Sequence, residues 1–162
     1  MAAATRFNLR IVTPYRDFYN GEITSCVIPT TDGDIGFMAG HSPVVVALKP
    51  GVASYRIDDE IVYYAVSEGF AEVSRTEVVI VCNSAELPAD LHIKRICKAY
   101  KASEVDREEA MKIEDDYMRK VALLSVDQDL ERAKSRRHLI ELYGSDEQKE
   151  RLARYVEEFA WK

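Results

Sequence analysis

Apolar and polar positions alternate through the first half of the chain. Phe7, Leu9 and Ile11 are separated by polar residues, and the same two-residue period returns at Tyr55 and Ile57. Turn residues such as Pro, Gly and Asp interrupt these short runs every 8–12 residues or so, as in all-β domains. The pattern predicts short antiparallel strands that pack as a β-sandwich around a core of their own.

The period changes after Pro88. No glycine follows until Gly144, and Ala, Glu, Lys, Arg and Leu dominate the composition. Apolar residues now recur every three or four positions, which is the period of an amphipathic helix. Two groups carry this pattern: Ile93, Ile96, Cys97 and Tyr100, and then Tyr117, Val121 and Leu124. We therefore predict that this part of the chain is helical.

Three serines are candidates for helix starts, because each is followed three residues later by an acidic or amide side chain. Ser145 is the best supported, since Gly144 before it is typical of a residue that ends the preceding helix. Ser103 and Ser125 either begin helices or lie inside longer ones.

The change of period divides the chain into two domains, an α+β fold in two parts. We predict an antiparallel β-sandwich over residues 1–86 and an α-helical hairpin or bundle over 87–162, with an extra terminal helix at about 146–160. The apolar side chains of that terminal segment are Leu152, Tyr155, Val156 and Phe159, with Trp161 just beyond. We expect this face to dock on the protein or on a partner, since exposed aromatic stripes favour association.

Composition narrows the function classes. The chain has 162 residues, a net charge of −6 and a pI near 5.2, without the basic patch that nucleic-acid binding requires. An odd number of widely spaced cysteines, Cys26, Cys82 and Cys97, favours buried thiols in a reducing compartment. No apolar run approaches a membrane span, and strand alternation begins almost at once. We expect a cytoplasmic protein that has no targeting peptide and inserts in no membrane.

The sequence contains no convincing catalytic or metal-binding pattern. His41 and Ser42 are adjacent, so in a strand their side chains point to opposite faces and cannot form a nucleophile–base pair. Asp32-Gly33-Asp34 lacks the spacing of a calcium loop and predicts a β-turn. The glycine-rich phosphate loops and zinc-ligand spacings are also missing. We predict no catalytic residue and no metal site.

Four segments carry a resemblance to a known family. Pro29–Gly51, with the sequence PTTDGDIGFMAGHSPVVVALKPG, and Ser67–Val73, SEGFAEV, are the densest, and Thr13–Ile23 and Ala85–Pro88 extend the match. These segments closely resemble the N-terminal sandwich of the epsilon subunits of bacterial-type F-type ATP synthases. The resemblance covers about the first half of the chain and implies a non-catalytic subunit, with a longer helical region than usual.

The resemblance also implies a role and partners. Family members belong to the central stalk, where they couple ion-driven rotation of the membrane ring to ATP synthesis and modulate ATP hydrolysis through their C-terminal helices. The implied partners are the gamma subunit that forms the rotor shaft, the c-subunit ring and the catalytic alpha/beta hexamer, at the cytoplasmic face of the cell membrane. By alignment, Asp32, Gly33 and Asp34 correspond to the ring-facing turn, and His41 with Ser42 to the shaft-facing segment.

Many bacterial members bind ATP weakly through an Ile-Asp-x-x-Arg-Ala motif at the first C-terminal helix. The aligned segment here begins at Leu91 and retains only Arg95 of the polar contacts. His92 replaces the aspartate, and the bulky Ile96 replaces the small alanine. We therefore expect no resident cofactor, and Arg95 is the one candidate contact for weak regulatory ATP.

Two other functions fit parts of the pattern. Without the resemblance, composition and periodicity favour a free-standing β-sandwich adaptor whose helical tail binds another protein. A small hydrolase would require activity that is lost when His41 is changed. The sequence leaves open whether the ring carries protons or sodium ions, and whether the helices inhibit hydrolysis.

Overall fold

A computed structural model describes residues 5–162, which form two compact units that meet at the Leu87–Pro88 bond. The first unit consists of strands and the second of helices, so the predicted two-part α+β fold is confirmed. The sequence pattern placed the boundary one residue earlier, between residues 86 and 87.

The β unit has ten strands within the described residues. They are β1 (Phe7–Val12), β2 (Asp17–Ile23), β3 (Ser25–Thr30), β4 (Gly33–Met38), β5 (Val44–Leu48), β6 (Gly51–Ile57), β7 (Glu60–Val66), β8 (Gly69–Val73), β9 (Glu77–Cys82) and β10 (Ala85–Glu86). Their order is β10-β7-β6-β3-β5-β8-β9-β1-β2, and β4 pairs with β3. β1 and β9 run parallel, while the other pairs are antiparallel.

β3 is where the sheet bends round to enclose its core. Ser25–Val27 pair with β6, whereas Thr30 at the far end pairs with Leu48 of β5. Phe7, Leu9 and Ile11 of β1 point inward and are buried, as their alternation predicts. Burying one large aliphatic or aromatic side chain stabilises a fold by roughly 1.5–3 kcal/mol, so this inner face supplies much of the unit's stability.

Tyr64 brings an unsatisfied polar group into this core. Its side chain is fully buried, and its hydroxyl has no hydrogen-bond partner among the described residues. Burial raises the pKa of Tyr64 well above its ordinary value, and the neighbouring thiols of Cys26 and Cys82 raise the pKa further. The phenol therefore stays neutral, but it has given up its hydrogen bonds to water without a replacement.

Replacing Tyr64 with Phe should stabilise the β unit by about 1 kcal/mol, because a buried, unsatisfied hydroxyl carries a desolvation penalty that the variant lacks. Urea unfolding of the full chain, followed by pulsed labelling of Cys26 and Cys82, would measure this change. Tyr19→Phe is the matched control, since Tyr19 donates a hydrogen bond to the Glu22 carbonyl at 3.3 Å. A Tyr64→Phe variant less stable than the parent would contradict the argument.

The helical unit contains a short 3-10 turn (Pro88–Asp90) and the helices α1 (Ile93–Ala110), α2 (Asp116–Tyr143) and α3 (Asp146–Glu158). The capping box predicted at Ser145 and Gln148 is confirmed. Ser103 and Ser125, the other candidate starts, lie inside α1 and α2. The start of α2 is capped instead by Asp115, whose carboxylate accepts a hydrogen bond from the Met118 amide at 2.8 Å.

Gly144 separates α2 from α3, but it does so without the left-handed conformation that its sequence position predicts. Its φ is −70°, which is not the left-handed conformation typical of a glycine that ends a helix. A Cβ atom there would lie 2.6 Å from the Ile140 carbonyl oxygen. The lack of a side chain therefore permits the close approach of the chain to the last turn of α2.

The two apolar groups predicted on the helices have different environments. Ile93, Ile96, Cys97 and Tyr100 of α1 are buried, as expected. The group at Tyr117, Val121 and Leu124 lies on the predicted helix but is exposed. The reason is that α2 has a second apolar stripe, which includes the half-buried Leu123 and Val126 and the buried Leu130. That stripe occupies the more protected side of α2.

Candidate interaction surfaces

An apolar surface, here called the outer face, covers the side of β5, β8, β9 and β1 that points away from the core. The strand register places Ala47 opposite Phe70, Phe70 opposite Val81, and Val81 opposite Val12. Residues paired in this way point to the same side of a sheet. The apolar residues of the outer face are Val12, Val45, Ala47, Phe70, Val79 and Val81. The register also places Glu72 on this side, between Val45 and Val79, and Arg10 beside Val79.

Two side chains of the outer face are strongly exposed. Val45 is 67% exposed and Phe70 is 48% exposed, although neighbouring Ala71 and Val73 are buried in the core. A groove of about 380 Å³ runs beside Phe70 and is lined in part by Val12 and Pro14. Large apolar side chains clustered at a surface indicate a site for association, whereas scattered ones do not. The outer face thus has the composition of a protein-binding site.

The segment with His41 and Ser42 leads directly into β5 and so borders the outer face. Gly40 adopts φ +81°, and its amide donates to the Arg75 carbonyl at 2.8 Å, which ties the segment to the β8–β9 turn. The His41 ring packs edge-on against Phe37 at 4.8 Å, and its Nδ1 lies 2.7 Å from the Ser42 carbonyl oxygen. Both residues are exposed, and no Ser–His catalytic pair forms between them.

The tight turn predicted at Asp32, Gly33 and Asp34 lies between β3 and β4, but Thr31 and Asp32 form its loop, and Gly33 and Asp34 begin β4. Gly33 has φ +114°, which an L side chain rarely adopts. The Thr30 hydroxyl donates to the Gly33 carbonyl at 2.6 Å and accepts from the Asp32 amide at 3.3 Å. Both carboxylates are exposed on a rigid hairpin, where they are suited to pair with basic groups of a partner.

The exposed side chains of Tyr117, Val121 and Leu124 form a second apolar surface, here called the α2 stripe. They follow one another at helical spacing and are 73%, 49% and 65% exposed. A helix that presents one apolar stripe inward and another outward can bind a second partner through the outer one.

α3 docks on the other two helices through the aromatic face that the sequence pattern identified. Leu152 is buried, and Tyr155 lies beneath the Lys94 ammonium, 5.7 Å from the ring centre. Trp161 stacks on Tyr100 with 4.0 Å between the ring centres, and the guanidinium of Arg137 lies 4.9 Å from the Trp161 ring. The expected docking of this face within the protein is confirmed.

Cys97 lies close to all three helices. Its side chain is on α1 and fully buried, and it lies within electrostatic range of Arg137 and Glu158. Burial raises the pKa of the Cys97 thiol, Arg137 lowers it and Glu158 raises it again. The thiol is therefore protonated and shielded from reagents as long as the three helices stay packed.

Arg95 is exposed on α1, and Ile96 beside it is buried. Ile96 therefore fills the space within the helical unit that a small alanine would leave open. His92 precedes α1 and makes no side-chain hydrogen bond to the helix end. Weak ATP binding through Arg95 stays a prediction. In residues 5–162 no group of three or more acidic, His or Cys side chains is placed to hold a metal ion.

Comparison with known proteins identifies the family. The family model described as ATP synthase, Delta/Epsilon chain, beta-sandwich domain matches residues 6–88. The ATP synthase epsilon chain of Desulforudis audaxviator is 36% identical over 104 residues, which are 64% of this chain and 75% of that protein. That of Staphylococcus aureus is 38% identical over 105 residues, 63% of this chain and 78% of that protein. This chain belongs to the ATP synthase epsilon family.

Its fold agrees with a solved structure. One chain of the cryo-EM structure of the Euglena gracilis mitochondrial ATP synthase matches with a TM-score of 0.64 at 20% identity, over 80% of this chain and 78% of that one. This epsilon chain is longer than its two bacterial relatives. The aligned residues are 64% and 63% of this chain, but 75% and 78% of the proteins from Desulforudis audaxviator and Staphylococcus aureus.

Epsilon chains are non-catalytic subunits of ATP synthase. Because this chain belongs to their family, it is a non-catalytic subunit as well. The family match also decides against the free-standing adaptor and the small hydrolase. Within residues 5–162, none of the helices combines the length and the apolar composition of a membrane span.

Phe70 is the residue that sequence reasoning missed on the outer face. It lies in the SEGFAEV segment, where alternation with the buried Ala71 and Val73 already implies that it points outward. The signal was present, but a lone phenylalanine in a strand is more often part of a core.

Proposed function

We propose that this epsilon subunit works in the central stalk of an F-type ATP synthase, where it transmits ion-driven rotation of the membrane ring to the catalytic hexamer. The exposed outer face is the observation that carries this proposal. Its row of Ala47, Phe70, Val81 and Val12 is wholly apolar and lies within residues 6–88, the part that matches the family. In this role the chain is peripheral and works at the cytoplasmic face of the cell membrane.

Each surface is assigned a partner in this proposal. The outer face, together with His41 and Ser42, binds the gamma subunit of the rotor shaft. The turn with Asp32 and Asp34 faces basic loops of the c-subunit ring, since exposed carboxylates on a rigid hairpin orient a partner more than they add affinity. The α2 stripe binds the alpha/beta hexamer when the helices leave their packed arrangement, and this contact modulates ATP hydrolysis.

The modulation is tested by ending the chain after Leu87. Leu87 packs against the core of the β unit, and Ala85–Glu86 form β10, so a shorter version would remove part of the sandwich. We expect the parent complex with this version to hydrolyse ATP several-fold faster, because no helix remains to contact the hexamer. Steady-state hydrolysis of the purified complex is the measurement, and co-purification of all subunits is the control. Unchanged hydrolysis in an intact complex would leave the subunit with the coupling role alone.

A further inference from the structure

α3 is attached to the helical unit at both of its ends. At its start, the Gln148 side chain donates to the Pro88 carbonyl at 2.6 Å while its oxygen accepts from the Ser145 amide at 3.0 Å. At its end, Trp161 is only 4% exposed and contacts both α1 and α2. Between the two ends, Leu152 is buried. These contacts join α3 to both members of the α1–α2 pair.

The backbone after α3 is shaped to deliver Trp161 to this position. The Trp161 amide donates to the Val156 carbonyl at 2.9 Å and the Ala160 amide to the Glu157 carbonyl at 3.1 Å, the two hydrogen bonds of a Schellman motif. The motif requires a left-handed residue, and Ala160 adopts φ +50°. Glycine is the usual residue there, and a strained conformation of this kind persists only when its surroundings hold it. The stack of Trp161 on Tyr100 is the contact that holds it.

We propose that α3 is a latch, in which Trp161 between Tyr100 and Arg137 keeps α1 and α2 together until α3 detaches. One aromatic side chain touches both helices, so the helices cannot separate without breaking the stack or the cation–π contact. Pairs of this kind each add to the stability of a packed arrangement beyond the area they bury. The link to regulation rests on the proposed function, in which separated helices contact the hexamer.

Two probes within the chain report the latch. Trp161 is the single tryptophan of the sequence, so the emission of the isolated subunit reports its environment alone. Cys97 lies beneath the latch, while the other two cysteines are in the β unit and serve as internal references. Labelling with a maleimide, quantified for each cysteine by peptide mass spectrometry, measures how often the helices open.

The decisive variant is Trp161→Leu in the full chain, which keeps an apolar side chain but removes the stack and the cation–π contact. We expect Cys97 to be labelled at least tenfold faster while Cys26 and Cys82 keep their rates and circular dichroism shows intact helices. Tyr100→Leu should red-shift the Trp161 emission and give the same labelling pattern. Ala160→Gly is the matched control at the adjacent residue, and it should label Cys97 no faster than the parent.

Either of two results would overturn the latch. One is an unchanged Cys97 rate in Trp161→Leu, which would make α3 a passive appendage. The other is the loss of helical signal in that variant, which would make α3 an integral part of a three-helix core.

A separate measurement addresses regulation. In the parent complex, Trp161→Leu should lower ATP hydrolysis, because unlatched helices reach the hexamer more often. Faster Cys97 labelling with unchanged hydrolysis would uphold the latch and reject the proposed modulation, so the two ideas fail independently.

Discussion

Phe70→Asp should separate this epsilon subunit from its complex without unfolding it. Phe70 is half-exposed at the centre of the outer face, next to Val81 and opposite Ala47 in the strand register. A carboxylate there leaves the core untouched, but it would be buried without a partner in the proposed interface with the shaft. Central aromatic residues of an interface contribute about 2 kcal/mol or more to binding, which corresponds to at least about thirtyfold in affinity.

The experiment is a titration of epsilon-depleted complex with the purified variant, together with co-purification. Ile61→Asp is the matched control, because Ile61 is similarly exposed at 40% but lies on β7, outside the outer face. We expect the control to bind like the parent. If Phe70→Asp binds normally, or if Ile61→Asp is equally damaging, the outer face is not the shaft-binding surface.

Gly69→Ala should unfold or severely destabilise the β unit. A Cβ atom on Gly69 would overlap the Val81 carbonyl oxygen and lie 2.9 Å from the Cys82 Cα, both backbone atoms of β9. Backbone cannot move aside as the end of a flexible side chain can, so β8 and β9 would have to separate. We expect a loss of at least about 3 kcal/mol, at the upper end of single-residue effects.

Gly36→Ala provides the comparison. Its new Cβ would meet its nearest neighbour at 3.9 Å, an ordinary contact distance. Gly36 lies on β4, which among the described strands pairs with β3 alone. Urea unfolding with pulsed labelling of Cys26 and Cys82 measures both variants. Similar stabilities for the two would show that the close approach of β8 and β9 is not what requires glycine at position 69.

The candidate surfaces differ in how much of them the sequence reveals. The hairpin between β3 and β4 follows from local rules, because an Asp-Gly pair between two strand patterns predicts a tight turn, although the loop falls one residue earlier, at Thr31 and Asp32. The outer face is harder to predict from the sequence. Alternation separates inner from outer side chains, but it does not indicate which strands become neighbours. Val12, Val45 and Phe70 are far apart in sequence, and only the β5-β8-β9-β1 order brings their strands side by side.

In the helical half, too, the sequence pattern does not determine which apolar residues are buried. The periodicity of α2 locates apolar residues at Tyr117, Val121 and Leu124, yet a period does not say which apolar stripe finds a partner. Packing of the helical unit selected the stripe with Leu130 and left the other exposed. Helix starts were predicted well where a complete local capping box exists, at Ser145, and missed at Asp115, where a single carboxylate provides the cap.

The sequence by itself determined the two-part fold, the strand and helix content, the turn at Gly33 and the apolar character of the last helix, because each depends on neighbours within a few residues. The tertiary structure alone decided which apolar surfaces stay exposed and where Trp161 is held. Those outcomes depend on contacts such as Trp161 with Tyr100, 61 positions apart. A pattern of local periods carries no information about such distant pairs, since chain topology brings them together.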